Sequence, residues 1–215
     1  MEAAGHPSTI VETVELPDGP VQIARPPDAE ALLVEEAFER EHLLPYWAEP
    51  WPSGVALADE LSGRPLAGTR MLELGCGLGL ASVAAARRGA VVLATDWSPE
   101  ALRFTAANAS RNGVAVEIAH CDWRRPSGAA LRRAPWDLVV AADVLYERRN
   151  VADLLRLLPF LVDSRGEVMV ADPGRAFAEA FVDAAAGDWR HRSRPTAREP
   201  RVTLHSLRRL GRPAR

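Results

Sequence analysis

From Arg70 onward, strand and helix patterns alternate five times with short connections along the 215-residue chain. That alternation predicts an α/β fold, a mostly parallel sheet with helices on both faces. Two further observations refine it. An acidic residue stands at or just past the end of each of the five strands: Glu73, Asp96, Asp122, Asp143 and Asp172. The last two strand candidates have only a loop between them, which predicts an antiparallel pair at one edge and seven strands in all.

The elements follow in order. Ile10-Val11 and Val21-Gln22-Ile23 flank the turn cluster Pro17-Asp18-Gly19-Pro20 and read as a short hairpin. Asp28 caps an expected helix to about Arg40, with Leu32, Leu33, Val34 and Ala37 on one face. The segment Pro45-Tyr46-Trp47-Ala48-Glu49-Pro50-Trp51-Pro52 carries three aromatics, more than loop composition explains, and Pro52 opens a helix through Leu61. Met71–Leu74 is a buried strand running into Gly75-Cys76-Gly77-Leu78-Gly79 and a helix of small residues to Arg88. Val91–Thr95 is the next strand, and Ser98-Pro99 starts a helix that stops at Asn112-Gly113. Strands follow at Val114–Ala119, Trp136–Ala142 and Glu167–Ala171, with Asn150 capping a helix that Pro159 kinks or shortens. A helix from about Pro173 to Ala186 precedes the closing strands, Trp189 to about Thr196 and Val202–Leu207. Residues 70–215 are expected to form one unit, with 1–69 a hairpin and helix extension packed on it.

Composition sets the outer bounds. Hydrophobic residues make up 47% and charged residues 26%, a balance that excludes dominant disorder. Charges interrupt every apolar run, so no membrane partner is expected, and the N-terminus shows no secretory signal. Cys76 and Cys121 form neither a zinc knuckle nor a redox pair, and the histidines His6, His42, His120, His191 and His205 have no ligand spacing, so no metal is expected. Two reduced thiols suit a cytoplasmic protein. The net charge of −3 argues against a polyanion partner, and no nucleic-acid binding is expected. All 26 basic residues are arginine, nine of them between Arg190 and Arg215 against one acid, Glu199, which reads as a solvated strand edge.

In an open parallel sheet, ligands bind beyond the carboxyl ends of the strands. An acidic array there fits a cofactor that carries positive charge and many donors. The loop has glycine at its first, third and fifth positions, whereas a dinucleotide fingerprint needs a small residue where Leu80 stands. Asp96 suits a ribose diol, which a carboxylate can accept in bidentate fashion. Asp122 is placed to accept from an adenine amine, with Trp123 beside the ring.

Glu73-Leu74-Gly75-Cys76-Gly77-Leu78-Gly79 followed by Asp96 resembles the first motifs of class I, seven-β-strand, S-adenosylmethionine-dependent methyltransferases. The aromatic segment Pro45–Gly54 and Asp143-Val144-Leu145-Tyr146, a D-x-x-Y motif, are similar to the family-16 group. Asp172-Pro173-Gly174-Arg175 resembles the segment after the fifth strand in that group's lysine methyltransferases. The resemblance implies a Rossmann-like fold and S-adenosyl-L-methionine as cofactor, with S-adenosyl-L-homocysteine as product. It implies methylation of protein lysine ε-amines, hence a protein substrate, by a monomer or weak dimer. Carried over by position, Glu73, Gly75, Cys76, Gly77, Asp96, Trp97, Asp122, Trp123 and Ala142 would hold cofactor, and Trp47 or Trp51 would close over its methionine end. Asp143 and Tyr146 would face the acceptor amine. Glu49 lies either near that amine or in a rim salt bridge. Leu210–Arg215 matches nothing in the family pattern.

Rival readings are a small-molecule N- or O-methyltransferase, a non-catalytic module that binds the cofactor, and a nicotinamide-dinucleotide oxidoreductase. The last conflicts with Leu80 and the acidic strand ends. The absence of a large inserted lid between the motifs leaves the acceptor mouth open and favours a protein substrate.

Overall fold

The computed structural model describes residues 9–28, 46–126 and 128–210. The helix expected after Asp28, to about Arg40, lies outside these. Two strands, β1 (Ile10–Val14) and β2 (Val21–Arg25), form an antiparallel hairpin. A 3₁₀ turn at Tyr46–Ala48 leads to helix α1 (Pro52–Ser62), with proline at its first position as expected. The core then alternates β3 (Arg70–Leu74), α2 (Leu80–Arg87), β4 (Val91–Asp96), α3 (Pro99–Arg111) and β5 (Glu117–His120). It continues through the short α4 (Ala129–Arg132), β6 (Leu138–Ala142), α5 (Arg148–Leu161), β7 (Glu167–Asp172) and α6 (Ala178–Ala185) to β8 (Trp189–Pro195) and β9 (Thr203–Arg209).

The seven-stranded sheet has the order β5-β4-β3-β6-β7-β9-β8. Its first five strands are parallel, and β9 lies antiparallel between β7 and the edge strand β8. The expected fold class is therefore observed. Strand residues alternate between two cores, as a period of two requires. Leu72, Leu74, Val139, Ala141, Val168 and Val170 pack with α5 and α6. Met71, Leu138, Val140 and Met169 pack with α1 and α2. The chain order reverses between β3 and β6, which opens the crevice at their carboxyl ends.

Side chains of α3 and of Asn112 at its C-terminal end hold the hairpin against this core. Asn108 Oδ1 accepts from the Ala24 N–H (2.8 Å), and its Nδ2 donates to the carbonyls of Ala24 (3.0 Å) and Leu78 (2.9 Å). Asn112 repeats the two-way pairing with Gln22, at 2.9 and 2.7 Å. The two amides thus act like a strand edge for β2. Ile23 reaches the rim of the crevice from this hairpin.

Four local expectations are corrected. β5 starts at Glu117 rather than Val114, because the Val114 N–H still bonds the Ala109 carbonyl of the α3 end (3.1 Å). β6 starts at Leu138 rather than Trp136, whose N–H goes to the Leu161 carbonyl at 2.8 Å. Asn150 lies within α5 rather than capping it and donates to the Val144 carbonyl (3.0 Å), while Pro159 sits in the helix's last turn and the helix runs on to Leu161. The helix expected from Pro173 begins at Ala178: Asp172 Oδ1 takes the N–H groups of Gly174 (2.8 Å) and Arg175 (2.7 Å), and Gly174 is left-handed at φ +88°. The Asp172 side chain thus closes a turn at the point where the helix was expected to start.

Candidate active site

The thirteen residues that the family resemblance assigns to cofactor and acceptor line one cleft at the carboxyl ends of β3, β4 and β6, whereas Asp172, the fifth acid of the expected array, is not among its lining residues. Its floor is the loop between β3 and α2. Gly75, Gly77 and Gly79 are all left-handed, at φ +72°, +52° and +79°, a region that side chains disfavour. A Cβ on Gly77 would stand 3.2 Å from the Trp47 carbonyl, and one on Gly79 would stand 2.7 Å from Thr105. The loop is therefore wedged between the aromatic segment and α3.

Asp96 ends β4 and is buried. Its Oδ2 accepts from the Gly77 N–H (3.0 Å) and its Oδ1 from the Ser98 N–H (2.9 Å). Each oxygen keeps lone-pair capacity for a ligand. Burial raises its pKa, against the pull of these backbone donors. Glu73 is buried more deeply and receives the Ser82 hydroxyl. Burial pushes its pKa up to about 8, so at neutral pH it is a neutral acid and the expectation of five charged strand ends does not hold at β3. Cys76 packs its sulfur 3.3 Å from Thr105 Oγ1, and burial drives its thiol pKa well up, which leaves it unreactive.

The adenine side was expected at Asp122 and Trp123. Both reach the cleft, and the Trp123 ring lies against Gly75, 3.5 Å from where a Cβ would stand. The Asp122 carboxylate, however, is held by Arg124, whose Nε (2.9 Å) and Nη2 (2.9 Å) each take one oxygen; that bonding lowers its pKa. Trp97 and Ala142 complete this part of the wall.

The opposite part of the cleft is aromatic. The Trp47 ring packs on Phe104, with centroids 5.4 Å apart. Trp51 donates its indole N–H to the Tyr46 carbonyl (2.6 Å), and the Tyr46 and Tyr146 rings meet at 5.3 Å. Asp143 stands beside this group. It is the only left-handed non-glycine residue among those described (φ 56°), and it is 8% exposed. Its N–H bonds the Ala171 carbonyl on the neighbouring strand (2.9 Å), its Oδ1 accepts from Arg175 Nε (2.7 Å), and its Oδ2 is buried without a partner. Of the alternatives for Glu49, the salt bridge is observed: its Oε1 lies 3.5 Å from Arg25 Nη1.

Sequence reasoning gave no site role to Arg175 or Tyr46, and Asn150, expected only as a helix cap, lines the cleft. The available signal for Arg175 was positional: β6 and β7 are neighbours with Ala142 opposite Ala171, so residues just beyond the two strand ends meet. Among the described residues, no three His, Cys, Asp or Glu side chains gather as a metal-binding group, and no helix is long and apolar enough to cross a membrane.

With this geometry in hand, comparison with known proteins is specific. The chain is 38% identical over 137 residues to the electron transfer flavoprotein beta subunit lysine methyltransferase of Xenopus laevis, covering 61% of this chain and 54% of that one. It is 30% identical over 125 residues to the human histone-arginine methyltransferase METTL23, covering 56% and 66%. This chain thus spans about half the length of the first of these curated relatives. Among solved structures, a TehB-like SAM-dependent methyltransferase from Corynebacterium glutamicum superposes with a TM-score of 0.60 at 13% identity, over 81% of this chain and 96% of that one, which shows a shared fold. Residues 48–184 match the lysine methyltransferase family. That span holds the glycine loop, Asp96, the D-x-x-Y segment and Arg175, and the chain belongs to that family.

Proposed function

We propose that the protein uses S-adenosyl-L-methionine to methylate lysine ε-amino groups of a protein substrate. The observation that carries the reading is Asp143: a buried carboxylate with one unpartnered oxygen, on the same cleft as the Gly77–Asp96 cradle. The family match and the lysine methyltransferase relative support the same chemistry.

The residues present fit the cofactor. Gly75 and Gly77 present left-handed backbone at the cleft floor, where the Gly77 N–H also holds Asp96 Oδ2 (3.0 Å). Asp96 offers remaining lone pairs for a diol, and the Trp123 ring offers a face for adenine. Glu73, Cys76, Trp97, Asp122 and Ala142 complete this wall, with Asp122 reaching a base only if Arg124 yields one of its oxygens. When bound, the cofactor supplies a methyl on a sulfonium, which passes to the acceptor nitrogen while the C–S electron pair stays on sulfur.

The chain's own groups then have three tasks. Trp47 and Trp51 roof the mouth and exclude water. The aromatic faces of Tyr46 and Tyr146 flank the acceptor's stem and suit a methylammonium product. Asp143 Oδ2 accepts an N–H from the amine and so points its lone pair away from the carboxylate, as in-line attack requires. The 70–215 unit supplies the glycine loop, Asp96 and Asp143 of this cleft, and the 1–69 extension adds its aromatic wall and the hairpin that buttresses it.

The test is methyl transfer into a cell lysate followed by mass spectrometry. Methyl-lysine in protein is the expected outcome. Label confined to low-mass compounds would replace this reading with small-molecule methylation, and cofactor binding without transfer to any acceptor would replace it with a binding module. The enzyme contains no lysine, so methyl-lysine in the protein fraction cannot come from the enzyme itself.

A further inference from the structure

We propose that Arg175 sets the charge state of the acceptor: its guanidinium, fixed against Asp143, keeps the incoming amine neutral. The inference rests on the amine-methylation reading and assigns a positioning residue within it.

The geometry is built from two adjacent strand ends. Asp143 follows β6 and Arg175 follows β7. The Asp172 carboxylate pins the Arg175 backbone (2.7 Å), and Arg175 Nε lies 2.7 Å from Asp143 Oδ1. Its guanidinium carbon sits 5.7 Å from the centroid of the Trp51 ring. The charge is thus held by an ion pair, a backbone anchor and an aromatic face. Asp143 Oδ2 remains buried and unpartnered.

A lone buried carboxylate would bind a lysine as ammonium, because an opposite charge favours the charged form. An ammonium has no lone pair and cannot accept a methyl. A carboxylate already matched by a guanidinium keeps its hydrogen-bond capacity but carries little net charge. A second cation at Oδ2 then meets Arg175 as a like charge, which favours the neutral amine. Free lysine starts with a pKa of about 10.4, so this preference is needed at neutral pH.

The other charged groups around the cleft leave Arg175 as the cation paired with Asp143, and its removal makes the surroundings of Oδ2 more negative whatever the others contribute. Glu49 faces Arg25, and Glu147 pairs with Arg149. Asp96 takes two backbone N–H groups, Asp122 is held by Arg124 and Asp153 pairs with Arg156; Asp172 takes two backbone N–H groups on Oδ1, its Oδ2 is buried without a partner, and its charge also faces Arg175. Tyr46 and Tyr146 present phenols, and Glu73 is protonated at neutral pH. Among the described cleft residues, Asp143 Oδ2 is the buried side-chain acceptor left without a partner.

The test uses n-butylamine as the acceptor probe and the full chain saturated with S-adenosylhomocysteine, without turnover. Calorimetry at pH 8 in two buffers of different ionisation enthalpy counts the protons released on binding. The wild type is expected to release about one proton per amine bound, since most free amine is protonated there. Arg175→Gln keeps an N–H donor for Asp143 but no charge, and is expected to release less than about half as many. Arg175→Lys restores the charge and is expected to return to the wild-type count. A Gln variant that releases as many protons as the wild type, or a wild type that releases none, overturns the proposal while leaving the methyltransferase reading intact. Failure of the wild type to bind S-adenosylhomocysteine, or to bind the amine at all, overturns the underlying reading and the proposal with it. As a second readout, the acidic limb of kcat for methyl transfer to poly-L-lysine should rise by about one pH unit in Arg175→Gln, since kcat reports the bound state. Superimposed profiles would count against Arg175.

Discussion

The Gly77 N–H donates to Asp96 Oδ2 at 3.0 Å, so the glycine loop and the carboxylate that ends β4 form one unit. Ser98 takes the other oxygen from its own backbone (2.9 Å). Asp96→Ala removes the acceptor of a ligand diol and frees the loop at the same time. The expected outcome is S-adenosylmethionine affinity reduced roughly 10- to 100-fold, the scale of a lost hydrogen bond to a charged group. Calorimetry reads it directly, and wild-type affinity would remove Asp96 from the cofactor site.

Asp143→Asn separates binding from chemistry. Asparagine tolerates the left-handed backbone at φ 56°. Arg175 Nε needs an acceptor at the Oδ1 position, so the new amide turns its NH₂ toward the acceptor amine, where an oxygen is required. Cofactor affinity is expected to stay within about twofold while turnover falls by at least about tenfold. Equal rates would dismiss Asp143 from the acceptor site.

These two carboxylates were legible in the sequence because an apolar run that stops at an acid marks a strand end, and strand ends in a parallel sheet face one crevice. The glycine loop was legible for the same reason, since it follows directly on β3. What could not be read were pairings across long separations. Arg175 reaches Asp143 over 32 positions and Asn108 reaches Ala24 over 84; nothing local in either pair announces the other. Asp172-Pro173 misled in a different way. The dipeptide carries a helix-start signature, but Gly174 at φ +88° turns the chain away and spends the Asp172 oxygen on a tight turn. The capture of Asp122 by Arg124 is local, two residues apart, and shows how a neighbouring cation competes with a ligand for the same carboxylate.

Asn108→Ala tests the join between the hairpin and the core. The side chain is fully buried and closes both polar groups of Ala24. Without it a backbone N–H and carbonyl lose their partners in the interior, at about 1–3 kcal/mol for each group left unsatisfied. The expected loss is about 2–4 kcal/mol of unfolding free energy in urea titration. Proteolysis should cut first within the hairpin. A change below about 0.5 kcal/mol would mean the hairpin contributes nothing to the fold.

Glu73→Gln is expected to stabilise the ligand-free protein, and only above mildly acid pH. Burial raises the Glu73 pKa from 4.5 to about 8. Between those values the unfolded chain has released a proton that the folded chain still holds. Stability therefore declines as pH rises from 4.5 to about 8 and is flat in this group's contribution beyond that. Glutamine copies the neutral acid in size and removes the titration. The difference in unfolding free energy between variant and wild type should be near zero at pH 4.5 and grow to a few kcal/mol at pH 8.5, in favour of the variant. Urea melts at the two pH values measure it, and contributions from the other titrating groups cancel in the difference. A constant offset, or one that shrinks with rising pH, would show that Glu73 is ionised in the folded protein at neutral pH, with the strand end at β3 then as negative as the sequence pattern suggested.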